Sequence, residues 1–153
     1  MKKRNVGLLI FALVSVVFIL SVWFGQKRME IPFSAADVKD IAIYQYIVPA
    51  EAEKKVVTAE DDIESILQTF NTIKVKRNRL EPIAGATTTS FRFNLKDGTD
   101  FNIIYVNHSV KSGEIKSSYA FDYETTADIE GIWNNYKYDV SAAEESELPA
   151  YEQ

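Results

Sequence analysis

The sequence predicts an α+β fold, with an N-terminal transmembrane helix followed by an antiparallel sheet of about five or six strands and two helices packed on one face. Three observations lead to this prediction. The chain begins with a long uncharged apolar run, two later segments repeat apolar residues at helical spacing, and several short segments alternate in the manner of strands.

The apolar run Val6–Phe24 has the length of a membrane span. No charged residue lies between Arg4 and Lys27, and the 22 residues between them would reach roughly 33 Å as a helix, close to the hydrocarbon thickness of a bilayer. A signal peptide has a shorter apolar region that ends in small residues, whereas this run ends in Trp23 and Phe24. We therefore expect an uncleaved signal anchor.

The orientation of this anchor is not decided by counting charges. Three basic residues stand close to each end of the run: Lys2, Lys3, Arg4, Lys27, Arg28 and Lys39. A short basic head before a long apolar run is typical of an anchor with its N-terminus inside, and large acidic domains are translocated largely regardless of charge. We expect a single-pass protein of the cell membrane, with the C-terminal domain outside.

The composition then divides the chain into four segments. We expect a cytoplasmic head and transmembrane signal anchor at 1–28, a juxtamembrane linker at 29–36, an extracytoplasmic α+β domain at 37–140 and an acidic disordered tail at 141–153. The residues after position 28 include 12 basic and 22 acidic side chains, a net charge of −10. This charge argues against non-specific nucleic-acid binding. The absence of cysteine excludes disulfides, thiolate metal sites, cysteine catalysis and a lipoprotein anchor.

Apolar stripes predict two helices in the domain. Both stripes have the spacing i, i+3, i+4 and i+7, in Ile63, Ile66, Leu67 and Phe70 and again in Ile129, Ile132, Trp133 and Tyr136. Thr58, with Asp61 three residues later, predicts a capped start for the first helix, and Thr126 predicts one for the second.

Further strands are expected at 37–48, 55–58, 73–80 and 114–123, with 107–113 as a loop. The strand at 37–48 is apolar on both of its faces. Because such a strand needs cover on both sides, we place it centrally or beneath helices.

Alternation also predicts the register of a hairpin. A two-residue Asp97–Gly98 turn would place Phe93 opposite Asn102, whereas a three-residue loop at Lys96–Gly98 pairs Phe93 with Phe101. The second register keeps the apolar side chains on one face and puts the glycine where a left-handed backbone is needed. We expect the three-residue loop.

Two groups of side chains are candidates for binding. The first is a basic strand within an otherwise acidic domain: Lys74, Lys76, Arg77 and Arg79. It is either a patch for an anionic partner, such as lipid headgroups, wall polymer or an acidic protein, or the charged guard of an edge strand. The second group is Tyr44 and Tyr46, which either line a ligand face or pack beneath a helix.

No segment carries a recognisable catalytic or metal-binding motif. His108 is the single histidine and has no second histidine with which to share a metal ion. Asp97 to Asp100 lacks the ligand spacing of a calcium loop, and no pair of carboxylates is set apart for acid–base work. We therefore expect no enzyme activity, no cofactor and no metal.

The order of motifs resembles a known class of domain. A KKR-headed anchor is followed by a strand, a VT-x-x-DDI-x-x-I-L helix start, a basic strand, a KDGT hairpin, and a closing strand and helix. Over Val38–Tyr136 the chain resembles small membrane- or lipid-anchored extracytoplasmic domains of unknown function from Gram-positive bacteria. The resemblance implies an extracytoplasmic location and an α+β fold, and it carries over no functional residue. The chain differs from the lipid-anchored members because it has no cysteine after its apolar run.

These observations favour a membrane-tethered extracytoplasmic module that binds or senses an envelope component without catalysis. Its expected partners are the bilayer, through Val6–Phe24, and an envelope protein or an anionic polymer. The alternative is a small-ligand carrier or receptor with a pocket between sheet and helices, and a hydrolase is the third and weakest reading.

Overall fold

The computed structural model describes residues 11–17, 27–29, 31–77, 85–106, 109–113, 121–124 and 129–149 of the chain. In these residues the protein combines one antiparallel sheet with helices, which confirms the predicted α+β class. The predictions for His108 and Thr126 concern residues outside the described ones, as do those for most of the apolar run and for the end of the chain from residue 150.

The described residues contribute nine strands to the sheet. They are β1 (Lys27–Arg28), β2 (Val38–Tyr46), β3 (Glu53–Val57), β4 (Lys74–Arg77), β5 (Thr88–Leu95), β6 (Asp100–Val106), β7 (Ser109–Gly113), β8 (Phe121–Glu124) and β9 (Ser141–Ala142). Their order across the sheet is β1-β4-β8-β7-β6-β5-β2-β3-β9. The predicted five or six strands were too few, because β1, β7 and β9 form in segments that we read as anchor, loop and tail.

Three α-helices occur among the described residues: α1 (residues 11–17), α2 (Glu60–Thr72) and α3 (Gly131–Asn135). Helix α1 is the described part of the predicted anchor. In the described ranges no helix has both the length and the apolar character needed to cross a bilayer.

Helices α2 and α3 pack on the same face of the sheet, as predicted. The buried residues of the two helical segments are those of the predicted stripes except Tyr136, which follows α3 and is only partly buried. They are Ile63, Ile66, Leu67, Phe70, Ile129, Ile132 and Trp133. They form one cluster with apolar side chains of β2, β5 and β6, including Ile41, Phe91 and Ile103. We call this side of the sheet the helix-covered face and the other side the second face.

The start of α2 differs from the prediction. The helix begins at Glu60 after Ala59, whose side chain cannot cap it, and Thr58 makes no capping bond. Instead the Tyr138 hydroxyl donates to the Asp62 carboxylate at 2.6 Å and accepts the Ala59 N–H at 3.3 Å. Burial and this donation to Asp62 raise the pKa of Tyr138.

The hairpin between β5 and β6 has the predicted three-residue loop. Phe93 pairs with Phe101, and Phe91 pairs with Ile103. The Leu95 N–H donates to the Thr99 carbonyl at 2.9 Å, which closes the loop. Gly98 has φ +89°, in the left-handed region that favours glycine.

Strand β2 lies between β3 and β5 and is covered on both faces, as its composition predicted. Ile41 and Ile43 point to the helix-covered face and are 0 % exposed. Ala42 and Tyr44 point to the second face, where they join a separate buried cluster. Strand β2 therefore contributes side chains to the buried clusters on both faces of the sheet.

The prediction of a disordered tail is wrong for residues 141–149, which we call the C-terminal segment. Strand β9 pairs with β3, and the Ala143 N–H donates to the Ala52 carbonyl at 2.8 Å. Ala143 and Leu148 are buried beside Tyr44. The acidic composition suggested disorder, but the segment keeps its glutamates mostly exposed while its small apolar residues complete the second face.

The residues after the apolar run also pack against the domain, although we read them as the end of the anchor and a linker. Strand β1 pairs with β4, and Met29 is buried in the core of the helix-covered face. The Phe33 ring lies 5.6 Å from the Phe93 ring and 5.4 Å from the Phe101 ring, centroid to centroid. The chain therefore joins the folded core within a few residues of the predicted span.

We expect Gly98→Ala to lower the free energy of unfolding by about 1 kcal/mol, because a Cβ disfavours the left-handed backbone there. No atom lies within 4 Å of the position that the new Cβ would take, so the cost comes from the backbone alone. Urea denaturation of the full chain in detergent micelles, followed by circular dichroism, measures the change.

Gly98→Asn is the matched control and should cost less, since asparagine tolerates the left-handed region. Equal stability of Gly98→Ala and the unsubstituted chain would contradict the assigned loop.

Candidate binding surfaces

The basic strand predicted as a binding patch or guarded edge corresponds to β4. Its backbone lies between β1 and β8, so it is not an edge strand, and the edge position belongs to the two-residue β1. The side chains of Lys76 and Arg77, and the whole of Arg79, lie outside the part that the structure describes. Lys74 is exposed.

Strand pairing places Arg28 of β1 directly opposite Lys74 of β4. The next residues, Met29 and Ile73, are buried, and the Met29 N–H donates to the Ile73 carbonyl at 2.9 Å. Because side chains alternate along a strand, Arg28 and Lys74 point away from that core, and both are exposed. Two cations directly opposite each other repel, so the positive charge of this pair is not balanced within it.

The candidate tyrosines lie on the second face. Tyr44 is 2 % exposed and Tyr46 is half-buried, and burial raises the pKa of both phenols. The C-terminal segment, not a helix, covers Tyr44. Trp133 belongs to the helix-covered face, so Tyr44 and Trp133 do not line a common pocket.

One ion pair fastens the C-terminal segment. The Lys54 ammonium donates to the Glu147 carboxylate at 2.6 Å, beside Tyr44. This hydrogen bond holds the pKa of Glu147 below its ordinary value of 4.5 and raises the pKa of Lys54 above 10.5. The C-terminal segment that encloses the Tyr44 ring thus has few other bonds to the rest of the domain.

A polar network crosses β5 and β6 on the second face. Arg92 Nε lies 3.4 Å from the Asn102 side-chain oxygen and 3.5 Å from the Asp100 carboxylate. Asn102 donates to Asp100 at 2.9 Å, and Asn94 donates to Asp40 on the neighbouring strand. These bonds hold the side chains of three strands in fixed positions.

A groove of about 640 Å³ opens above this network, at the end of the sheet that carries the hairpin loop. Lys39, Arg92 and Lys96 line it together with Asn94 and Asp100. Each cation has a partner of its own: Lys39 lies 3.8 Å from Asp40, Arg92 lies 3.5 Å from Asp100, and Lys96 donates to the Ala36 carbonyl at 2.7 Å. We call it the basic groove. It is an open surface groove, wide enough to admit a small anion but much larger than one.

A second groove of about 730 Å³ lies on the other side of the same loop, between Phe33, Asp37, Asp97, Asp100 and Phe101. Hydrogen bonds from Ser34 lower the pKa of Asp37, and those from Thr99 lower the pKa of Asp97. Both carboxylates are therefore ionised at neutral pH, which is the opposite of what a general acid requires.

Lys55 is a buried cation on the helix-covered face. Its ammonium donates to the carbonyls of Trp133 at 2.7 Å and Tyr136 at 3.1 Å, and it lies 4.5 Å from the centre of the Trp133 ring. These carbonyls belong to the C-terminal end of α3, where a positive charge is favourable. The burial of Lys55 is thus explained by the fold.

The described residues include no group of three or more histidine, cysteine, aspartate or glutamate side chains placed to hold a metal ion. No protein-family model, no curated protein and no solved structure matches the chain. Function is therefore inferred from the side chains of this protein itself.

We expect the C-terminal segment to loosen as the pH falls below 4.5. A carboxylate whose pKa is lowered by folding stabilises the fold fully above its ordinary pKa, and this stabilisation is lost as the pH falls through the lower, folded-state pKa. Hydrogen exchange of the Ala143 amide, corrected for the intrinsic rate at each pH, measures the opening.

Glu147→Gln should reduce the protection of this amide at neutral pH roughly two- to fivefold, since an ion pair near the surface contributes little. Glu145→Gln is the matched control, because Glu145 is exposed and Lys54 does not bind it. Equal loss of protection in both variants would show that the Lys54–Glu147 pair does not fasten the segment.

Proposed function

We propose that the chain is a membrane-tethered extracytoplasmic binding module without catalytic activity. The tether is supported by the sequence of Val6–Phe24, in which nineteen residues carry no charge. The binding role is supported by charged surfaces that the fold leaves open on an otherwise well-packed domain.

The observation that carries the proposal is the short connection between the apolar run and the sheet. Only Gly25 and Gln26 separate Phe24 from β1, and β1 is hydrogen-bonded into the sheet. A domain joined in this way is held close to the bilayer, so its open surfaces meet the partners that occur at a membrane surface.

The state of the titratable groups supports a role without catalysis. The carboxylates whose pKa values are shifted, Asp37, Asp97 and Glu147, all have lowered values, and neighbouring donors account for each of them. Enzymes more often raise the pKa of a carboxylic acid that must donate a proton. The buried Lys55 is occupied by backbone carbonyls.

We expect the full chain to stay with the membrane after alkaline carbonate extraction, and its domain to be digested by protease added outside intact spheroplasts. Val14→Arg with Val17→Arg should release much of the chain, since a charge at the centre of a span opposes insertion by roughly 3 kcal/mol. Complete release of the unsubstituted chain would reject the tether, and protection from external protease would reject the orientation.

A second candidate function, a small-ligand carrier or receptor, is favoured by the basic groove. The space between sheet and helices is filled by side chains such as Phe70 and Phe91, which are 0 % exposed. A small ligand would therefore bind in the basic groove and not in the interior pocket that the sequence suggested. The three cations in its lining favour a small carboxylate or phosphate.

Titration of the full chain in nanodiscs with inorganic phosphate and with succinate tests this candidate by calorimetry. Lys39→Gln combined with Lys96→Gln should weaken binding roughly tenfold or more, because hydrogen bonds to charged groups are the strong ones. Lys137→Gln is the control, as an exposed lysine that does not line this groove. Absence of binding to both anions would reject the candidate.

A further inference from the structure

The edge of the sheet brings together basic residues from two distant parts of the chain. Lys27 and Arg28 in β1 pair with Val75 and Lys74 in β4. We call Lys27, Arg28 and Lys74 the basic edge. The side chains of Arg28 and Lys74 are exposed.

Among the residues that the structure describes, Arg28 and Lys74 have no acidic side chain opposite them. Further along β4, Lys76 stands opposite Glu124 of β8 in the strand register, so an acid is placed beside that lysine position. Arg28 instead faces Lys74, and neither forms an ion pair with any residue that the structure describes. Two facing cations are unfavourable in isolation, and an external anion between them removes the penalty.

The basic edge lies within reach of the headgroup layer. Four residues lead from Phe24 to Arg28, and they span at most about 14 Å when fully extended. The headgroup region adds about 5–8 Å to each side of the hydrocarbon core, and charges act over about 8 Å in physiological salt. Arg28 therefore cannot move far from lipid phosphates when Val6–Phe24 spans the bilayer.

The rest of the domain carries the opposite charge. The residues after position 28 have a net charge of −10, and exposed Glu144 and Glu145 follow β9 at the far edge of the sheet. Eight strand spacings separate β1 from β9, a distance of about 38 Å. An anionic surface attracts one edge of the sheet and repels the other.

We propose that the basic edge docks on anionic lipid headgroups of the membrane that holds the anchor, so that the sheet stands on β1 with β9 directed away from the bilayer. This inference rests on the proposed tether and adds to it an orientation and a lipid partner. The Arg28–Lys74 pair binds the headgroup phosphates.

The absence of cysteine allows the orientation to be measured with single labels. Thr72→Cys places a donor fluorophore close to β4, and Glu145→Cys places one close to β9; both positions are exposed. The full chain is incorporated into nanodiscs of phosphatidylcholine with or without phosphatidylglycerol, with an acceptor on a trace lipid headgroup. The tether alone keeps β1 near the surface in either lipid, so lipid charge can change only the orientation of the sheet. We expect transfer from position 72 to rise and transfer from position 145 to fall when phosphatidylglycerol is present.

Arg28→Gln with Lys74→Gln should lower the ratio of docked to undocked protein roughly 30-fold, because each cation near an anionic surface contributes about fivefold. Lys137→Gln removes an exposed cation away from the basic edge and should leave the transfer unchanged. If circular dichroism shows that the first variant is misfolded, the chain with native Arg28 and Lys74 is tested in high salt instead. Salt screens the attraction between the basic edge and the lipid, so it must reduce transfer from position 72.

Equal transfer from positions 72 and 145 with phosphatidylglycerol present, or a difference between the two positions that is the same in both lipids, would overturn the docking. Failure of the tether gives a different result, because the chain would then not enter nanodiscs at all. A chain that is incorporated but not oriented by lipid charge would therefore reject this inference alone.

Discussion

The alternation of side chains from Ile41 to Tyr44 of β2 is the constraint on which the rest of the fold depends. Ile41 and Ile43 need the cover of α2, while Ala42 and Tyr44 need cover on the opposite side. A shift of one residue would exchange the two sets and leave both layers without their partners. The positions of the helices and of the C-terminal segment thus both depend on β2. The candidate binding surfaces lie at the ends of this strand and at the edges of the sheet.

The parts of the fold that could be predicted are the segments long enough to show the apolar periodicity of a helix or a strand. The stripe that ends at Phe70 spans two helical turns, and the aromatic alternation around Phe93 allowed one hairpin register and excluded the other. The two-residue strands β1 and β9 have no period at all, and they form because longer strands offer free hydrogen-bonding groups beside them. The Tyr138 hydroxyl reaches Asp62 from 76 residues away, a contact that no local pattern contains.

The candidate binding surfaces, like the fold, could be predicted from the sequence only in part. Composition alone singled out the basic strand, but Lys27 and Arg28 were read as the flank of a membrane span, so their pairing with β4 was missed. Alternation along the strand assigned Tyr44 and Ile41 to opposite faces. It could not show that an acidic segment about a hundred residues later would cover the Tyr44 ring. The basic groove depends on the distance between a strand start and a hairpin loop, Lys39 and Lys96, which only the folded chain defines.

The packing of Met29 and Phe33 onto the domain has a mechanical consequence. A long connection would let the domain move freely relative to the residues before it. Here only Gly25 and Gln26 lie between the predicted span Val6–Phe24 and β1, so the domain cannot move far from that segment. If that segment crosses a bilayer, the distance of the sheet from the surface is set by the fold of residues 27–33 and not by a linker.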